Sequence, residues 1–465
     1  MKQKNKSLLK NIGLFTIGSF GSKLLGFIMI PLYTSVLNAS EYGSVDLIST
    51  TAQLLMPILL LSIQDATLRF GMDSEYEKED VLSTTFNIII KGSVILLLGI
   101  IFVEYFKIFN ISMVYYAFLF LTFVFNSINH NLNLYLKAKN NASIIAVSGI
   151  ICTFVTCTSN IILLLVFKTG ILGYMISNVI GVLVQIIFQF VVGKVYRELK
   201  FRGYNDLSKP MVRYSAPLIA NSVAWWINNV SDRYILTWLK GATANGIYAI
   251  AYKIPSILSI FQSIFFNAWS ISAIQEFDEN DSDGFIGTNY SIYSFVSISV
   301  CSALLLMNIP IARILYKGGY FDAWMFVPFL LVGTVFNGIA QFEGSLYAAT
   351  KNTKLVATTT VIGALVNTVC NFTLIYIWGA IGASLSTLVG YFVTWLLRTV
   401  YLQRFVKMKV KWINHYISLL VLFVQSVFAT LKEFAIFQMI SFAVIVMLNR
   451  RFIMVVLKRI IRKKS

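Results

Sequence analysis

The heptapeptide LYLKAKN at residues 134–140 returns as LYAATKN at residues 346–352, an interval of 212 residues. Other matches keep step with it. GILGYMISNVIG (170–181) is answered by GAIGASLSTLVG (379–390), and ASEYG (39–43) by ATANG (242–246). The acidic stretch DSEYEKED (73–80) corresponds to EFDENDSD (276–283), and the two hold ten of the twenty Asp and Glu residues. Ordered matches in polar as well as apolar stretches mark an internal duplication. In membrane proteins such repeats characterise transporters.

What lies between the matches fixes the class. Of 465 residues, 57% are hydrophobic, 15% aromatic and only 12% charged, against roughly 25% charged in soluble domains. Apolar blocks such as SVILLLGIIFVEYF (93–106) and SIIAVSGIICTFV (143–155) belong to runs of about 20 residues, the length that crosses hydrocarbon as helix. The chain reads as an all-α polytopic membrane protein. Cutting at polar breaks gives about fourteen spans: 11–36, 44–66, 82–105, 112–134, 143–167, 171–193, 214–238, 246–272, 287–308, 325–347, 355–377, 380–400, 413–430 and 434–449. The N-terminal stretch MKQKNKSLLKNIGLFTIG imitates a signal peptide. Its apolar run continues to Leu37 without a small-residue cleavage site, so it reads as a retained first span.

With the N-terminus inside, 28 of the 38 Lys and Arg fall in inner segments, six in outer loops, and four (Lys23, Lys91, Arg233, Lys253) in the membrane. That asymmetry predicts an even span count and two cytoplasmic termini. It also explains the net charge of +18 without nucleic acid. The basic residues crowd into short connections, such as GKVYRELKFRGYNDLSKPMVR (193–213), and into RRFIMVVLKRIIRKKS (450–465), where they set topology and touch anionic lipid. The four cysteines lie in apolar segments and the two histidines lack metal-ligand spacing, so neither a disulfide framework nor a metal site is expected, and no cofactor is implied. The two acidic stretches read as solvated cytoplasmic linkers.

Six spans therefore recur as six more, in parallel orientation, followed by two extra. The expected organisation is an N-lobe at 1–208, a C-lobe at 209–406, and a pair of helices with a basic cytoplasmic tail at 407–465. Two such halves around a central cavity are the setting for alternating access.

Two stretches resemble a known family. YSAPLIANSVAWWINNVSDRYILTWLKGATANGIYAIAYKIPSILSIFQSIFFNAWSISAIQEF (214–277) is similar to the seventh and eighth spans of Wzx-type polysaccharide flippases. These belong to the multidrug/oligosaccharidyl-lipid/polysaccharide exporter superfamily. NIGLFTIGSFGSKLLGFIMIPLYTSVLNASEYGSVDL (11–47) resembles the family's first span and a half. The resemblance implies a V-shaped, MATE-like fold around a cationic cavity in the bacterial cytoplasmic membrane. It also implies transport of undecaprenyl-diphosphate-linked oligosaccharide to the outer leaflet for capsule, exopolysaccharide or O-antigen, with a polysaccharide polymerase or assembly machinery as a possible partner.

Ionisable residues inside a membrane are functional candidates. Lys23 lies deepest, mid-way along the first span between Ser19, Ser22 and Gly26. It is expected either to attract the lipid diphosphate or to pair with a carboxylate. Asn221, Trp225, Asn228 and Asp232 recur at i+4, i+3 and i+4, one polar helix face that either lines the cavity or bonds neighbouring helices. Asp232 and Lys253 lie at similar depth on antiparallel spans and are expected to pair, whereas Arg233 is expected to snorkel outward. Asp65 and Arg69 read as a local i,i+4 pair. Lys91 is a further cavity candidate with no face assigned. Glu343, read as a turn or so inside the inner surface, is a candidate with Asp232 for binding a coupling ion. Pro217 and Pro255 are expected to kink their spans.

Two other functions compete. A cation-coupled multidrug exporter of the same superfamily favours buried carboxylates and usually stops at twelve spans, whereas the deepest charges here, Lys23 and Lys91, suit an anionic carrier lipid. A membrane polymerase or glycosyltransferase needs a large outer loop or an exposed carboxylate pair. The longest outward connection is about 16 residues (309–324) with one acid, Asp322.

Overall fold

The structure is a computed structural model that describes residues 25–73, 75–109, 111–200, 205–350, 352–431 and 435–449. It is helical, with no strand among the described residues. Contacts divide the chain into two compact units, Met1–Val230 and Ser231–Ser465. The first unit contains α1 (Ile30–Val36), α2 (Ala39–Leu59), α3 (Ile63–Gly71), α4 (Lys78–Tyr105), α5 (Met113–Ala138), α6 (Ala142–Ile161), α7 (Ile171–Val192) and α8 (Asn205–Ser215). The long helix α9 (Leu218–Lys240) runs across the division. The second unit continues with α10 (Ala242–Ala251), α11 (Lys253–Gln275), α12 (Phe285–Leu306), α13 (Asn308–Leu315) and α14 (Val327–Ala349). It ends with α15 (Thr353–Trp378), α16 (Ala380–Leu402), α17 (Trp412–Ala429) and α18 (Ala435–Leu448).

Seven of these helices are long and apolar enough to cross a membrane, and ten spans result if each of three bent pairs counts as one. The chain is a multi-pass membrane protein. The spans expected at 112–134 and 214–238 form α5 and α9, full-length helices that carry more polar side chains than lipid-facing segments.

The bends have local causes. Pro57 in α2 lacks an N–H to donate. Four and five residues on, Leu61 and Ser62 take positive φ (54° and 51°), and α3 leaves at 60° to α2. Pro255 cannot bond the carbonyl of Ala251, and α10 and α11 meet at 40° across Tyr252. Pro217 does not kink a span; it separates α8 from α9.

The duplication is visible in the backbone. Asn141, ahead of α6, has φ −92°, ψ 48°; Asn352, ahead of α15, has φ −90°, ψ 47°. Their N–H groups donate to the carbonyls of Leu136 and Tyr347, both at 2.9 Å. Gly170 and Gly379, which open α7 and α16, adopt φ 58°, ψ −136° and φ 59°, ψ −133°. The first copy is the longer between these points, and there Ile162–Val166 winds as π-helix.

Each unit has its own core. In the first, Ile63, Ala66, Ile89, Phe123 and Met211 form one buried cluster, and Leu82, Leu132, Tyr135 and Leu136 another. In the second, α14 is buried nearly all round, the behaviour of a core helix. Phe342 stacks on Trp269 of α11 at 4.0 Å and 12°.

One acidic stretch departs from expectation. Asp281 is fully buried and caps the start of α12. Its Oδ1 accepts from the Ile286 N–H, and its Oδ2 from those of Gly287 and Lys409, all at 2.9 Å. EFDENDSD is thus a folded clasp that fastens the segment between α16 and α17, because backbone donors at a helix start must find acceptors.

Candidate functional site

Helix α9 carries Asp232 into the second unit, where its carboxyl is buried (3% exposed). The ends of α10 and the middle of α16 supply hydroxyls. Tyr248 OH donates to Asp232 Oδ2 at 2.7 Å, Tyr252 OH at 2.8 Å and Thr387 Oγ1 at 3.3 Å. The backbone N–H of Arg233 donates to Oδ1 at 2.9 Å. Tyr248 and Tyr252 stand one turn apart, so their rings meet edge-to-face and their hydroxyls lie 3.2 Å apart. Burying a carboxylate costs several kcal/mol; each hydroxyl donor returns about 1.5–3 kcal/mol. The carboxylate oxygens are the donor type that hard cations take, and the hydroxyls that donate to Oδ2 hold the group in place.

The expected Asp232–Lys253 pair does not form. The ion pairs among the described residues are Arg69–Asp73, Lys139–Glu198 and Lys200–Glu79. The residue facing Asp232 is Tyr252, and its neighbour Lys253 points elsewhere, since consecutive helical positions diverge by about 100°. Arg233 also departs from its expected outward course: it is half-buried, with its guanidinium 5.1 Å over the Tyr252 ring. It joins the Asp232 cluster through an aromatic face. Arg69 bonds Asp73 at 3.3 Å in place of Asp65.

A second polar cluster sits deeper in the same unit. Glu343 of α14 is fully buried. Its Oε1 accepts from Thr399 Oγ1 at 2.7 Å and from Tyr290 OH at 3.4 Å; Oε2 has no hydrogen-bond partner among the described residues. Tyr290 OH also lies 3.3 Å from His415 Nε2 on α17. Arg398, one residue before Thr399, is buried as well. It braces three helices, donating to the Ala340 carbonyl (2.6 Å), Thr360 Oγ1 (2.8 Å) and Thr359 Oγ1 (3.2 Å). It forms no ion pair with Glu343 among the described residues, so the carboxyl is held by hydroxyls alone.

Residues 8–270 match the model of a family described as polysaccharide biosynthesis protein. This chain belongs to that family. Among solved structures, this chain is similar to the lipid II flippase MurJ in its inward closed conformation. The TM-score is 0.69 at 17% identity, covering 96% of this chain and 99% of that one. It is also similar to a multidrug resistance MATE family transporter of the MOP superfamily. The inward-facing form gives a TM-score of 0.64 at 11% identity, over 82% of this chain and 94% of that one. The outward-facing form gives 0.59 at 12% identity, over 87% and 96%. These relatives in fold are flippases and transporters, not enzymes. No curated protein matches the sequence. Asp232, Tyr248 and Tyr252 lie inside the family match; Thr387 and the Glu343 cluster lie beyond it.

The other expected site residues of this family member fall in different places. Lys23 lies outside the described residues. Asn221 and Trp225 are exposed, Asn228 is half-buried and Asp232 is buried, so exposure falls along the α9 face toward the carboxylate. Lys91 is exposed on α4, on the stripe shared by Val94, Ile95 and Leu98. Lys253 is half-buried. Sequence reading missed Tyr248, Tyr252 and Thr387, which are ordinary in composition and acquire meaning only through packing. It also missed Arg398, which lies near the inner end of the span expected at 380–400. An arginine flanked by LL and TV (396–400) is itself the signal.

Proposed function

We propose that this protein is a flippase that moves an undecaprenyl-diphosphate-linked oligosaccharide from the inner to the outer leaflet of the bacterial cytoplasmic membrane. The observation that carries the reading is the extent of the fold match. Residues 407–465 are about 13% of the chain, so a match over 96% must include most of them. The similarities to the MATE transporter cover 82% and 87%. Likeness to a flippase of a lipid-linked precursor therefore extends into the C-terminal helices, and the polysaccharide family match supplies the glycan.

In this reading the lobes are 1–208 and 209–406, both termini are cytoplasmic, and alternating access carries the glycan through a cationic cavity. Lys23 attracts the diphosphate, with Lys91 a further cavity cation. The α9 face of Asn221, Trp225 and Asn228 meets sugar. The product passes to a polysaccharide polymerase or assembly machinery. Asp232 and Glu343 are the coupling-ion groups; two buried carboxyls that accept from hydroxyls also support the neighbouring reading of a cation-coupled exporter.

The test is flipping of a fluorescent undecaprenyl-diphosphate glycan in vesicles containing the purified chain, scored by quenching from outside. Lys23→Ala is expected to slow flipping at least tenfold, as loss of one charge contact of about 1.5 kcal/mol requires, with unchanged membrane abundance. Wild-type flipping by this variant contradicts the cationic-cavity assignment.

A further inference from the structure

The first unit holds a cavity of about 150 Å³ between α2, α5 and α7, none of whose residues entered the reading above. We propose that it is a binding site for an uncharged sugar ring.

Its lining contains no Asp, Glu, Lys, Arg or His. That composition offers no charge to neutralise a phosphate or a cationic drug. Gln53 of α2 and Thr122 and Asn126 of α5 all border it, and none of the three side chains hydrogen-bonds another described residue. Pro57, lacking an N–H, also leaves the Gln53 carbonyl without its ordinary helical donor. Gln53 is exposed and Thr122 and Asn126 are half-buried, so their polar groups border open space; an alkyl chain that displaced water from them would strand each at a cost of about 1–3 kcal/mol, which makes it a poor occupant. The apolar part of the wall is half aromatic, with Phe118, Phe125 and Tyr174 beside Leu121, Val179 and Val182. Phe125 and Tyr174 border the space, and the Tyr174 ring is set edge-on against Tyr33 at 5.1 Å. Hydroxyl-directed amides beside aromatic faces match the two surfaces of a pyranose, its polar rim and its C–H faces.

The same helices show what these amides do when no ligand is intended. One turn further along α5, Asn129 donates to Gln185 Oε1 of α7 at 3.1 Å. Gln185 and Gln189 donate to Ser148 Oγ at 3.3 and 2.9 Å, and Gln189 to Asn133 Oδ1 at 3.0 Å. There the seam is closed and the amides bond one another, although the Gln189 Oε1 finds no partner among the described residues. At Asn126 the seam opens, and the pairing stops where the cavity begins.

The proposal deepens the flippase reading, on which its biological meaning rests, by locating one uncharged ring of the glycan. Saturation-transfer NMR on the purified full-length chain in nanodiscs tests it with methyl glycosides of glucose and N-acetylglucosamine, and with methyl glucuronide as the charged comparison. At sub-saturating sugar, ring protons of the uncharged glycosides are expected to receive saturation. Asn126→Leu and Gln53→Leu, on separate helices, are each expected to reduce it about fivefold, the equivalent of one hydrogen bond of about 1 kcal/mol. Monodisperse elution of each variant controls for folding. No transfer from the wild-type chain, or unchanged transfer in both variants, overturns the proposal, as does equal transfer to methyl glucuronide. Binding is read separately from transport. A chain that binds the glycosides but flips no lipid-linked glycan keeps the pocket and loses the flippase reading. A chain that flips but gives no transfer keeps the flippase and loses the pocket.

Discussion

Asp232 shows how strongly a side chain's partner depends on azimuth as well as depth. At the right depth for Lys253, it is instead held by Tyr248, Tyr252 and Thr387. Tyr248→Phe should therefore lower the stability of the detergent-solubilised chain by about 1–3 kcal/mol, read as a fall in thermal midpoint. Lys253→Met should change it by less than about 0.5 kcal/mol; the reverse order restores the ion pair. A second residue-scale consequence concerns the clasp outside the membrane. The Ser282 N–H, 2.6 Å from Asp278 Oδ2, and the Asn280 N–H, 3.0 Å from Oδ1, hold the Asp278 carboxyl below its usual range. A carboxyl depressed in the folded state stabilises above its unfolded titration range, and that contribution is lost as pH falls through the lowered value. Hydrogen exchange at Asn280 and Ser282, corrected for intrinsic rate, should show protection at neutral pH that fades in acid. Asp278→Ala should show neither the protection nor its pH dependence.

At the scale of elements, the repeat is carried by conformations that particular residues make possible. Gly379 and its counterpart Gly170 combine φ near +58° with ψ near −135°, a region open essentially to glycine. No atom lies within 4 Å of a Cβ built at Gly379, so a cost at this position is backbone strain alone. Gly379→Ala is expected to destabilise by about 1–3 kcal/mol. Gly99→Ala, mid-helix in α4 and equally unobstructed, should be neutral or stabilising by up to about 1 kcal/mol. Equal thermal midpoints for the two variants contradict this account. The elements themselves were largely legible, because apolar runs and ordered repeats are linear features of a chain. The breaks were less so: Pro255 announced a bend, but Pro217 marked a helix boundary, and nothing in Ile162–Val166 distinguishes π-helix from α-helix.

For the whole molecule, composition carried the class, since a chain 57% hydrophobic and 12% charged must put most of its length in lipid. The sites were less legible. Asp232 and Glu343 stand out in the sequence as charges within apolar spans; the tyrosines and threonines around them do not, because such residues are unremarkable until several helices converge. FNSINHNLN (125–133) carries no acid, lysine or arginine, yet its four asparagines in one helix mark the amide seam directly. The family match and the shared fold leave the proposed function resting on one claim, that this chain carries a lipid-linked glycan across the bilayer. The measurement that meets it most directly is protection of a fluorescent undecaprenyl-diphosphate glycan from an external quencher in vesicles. The account predicts that the chain makes the inner-leaflet pool accessible while leaving a fluorescent phosphatidylcholine protected. Loss of protection for both lipids, or for neither, contradicts it.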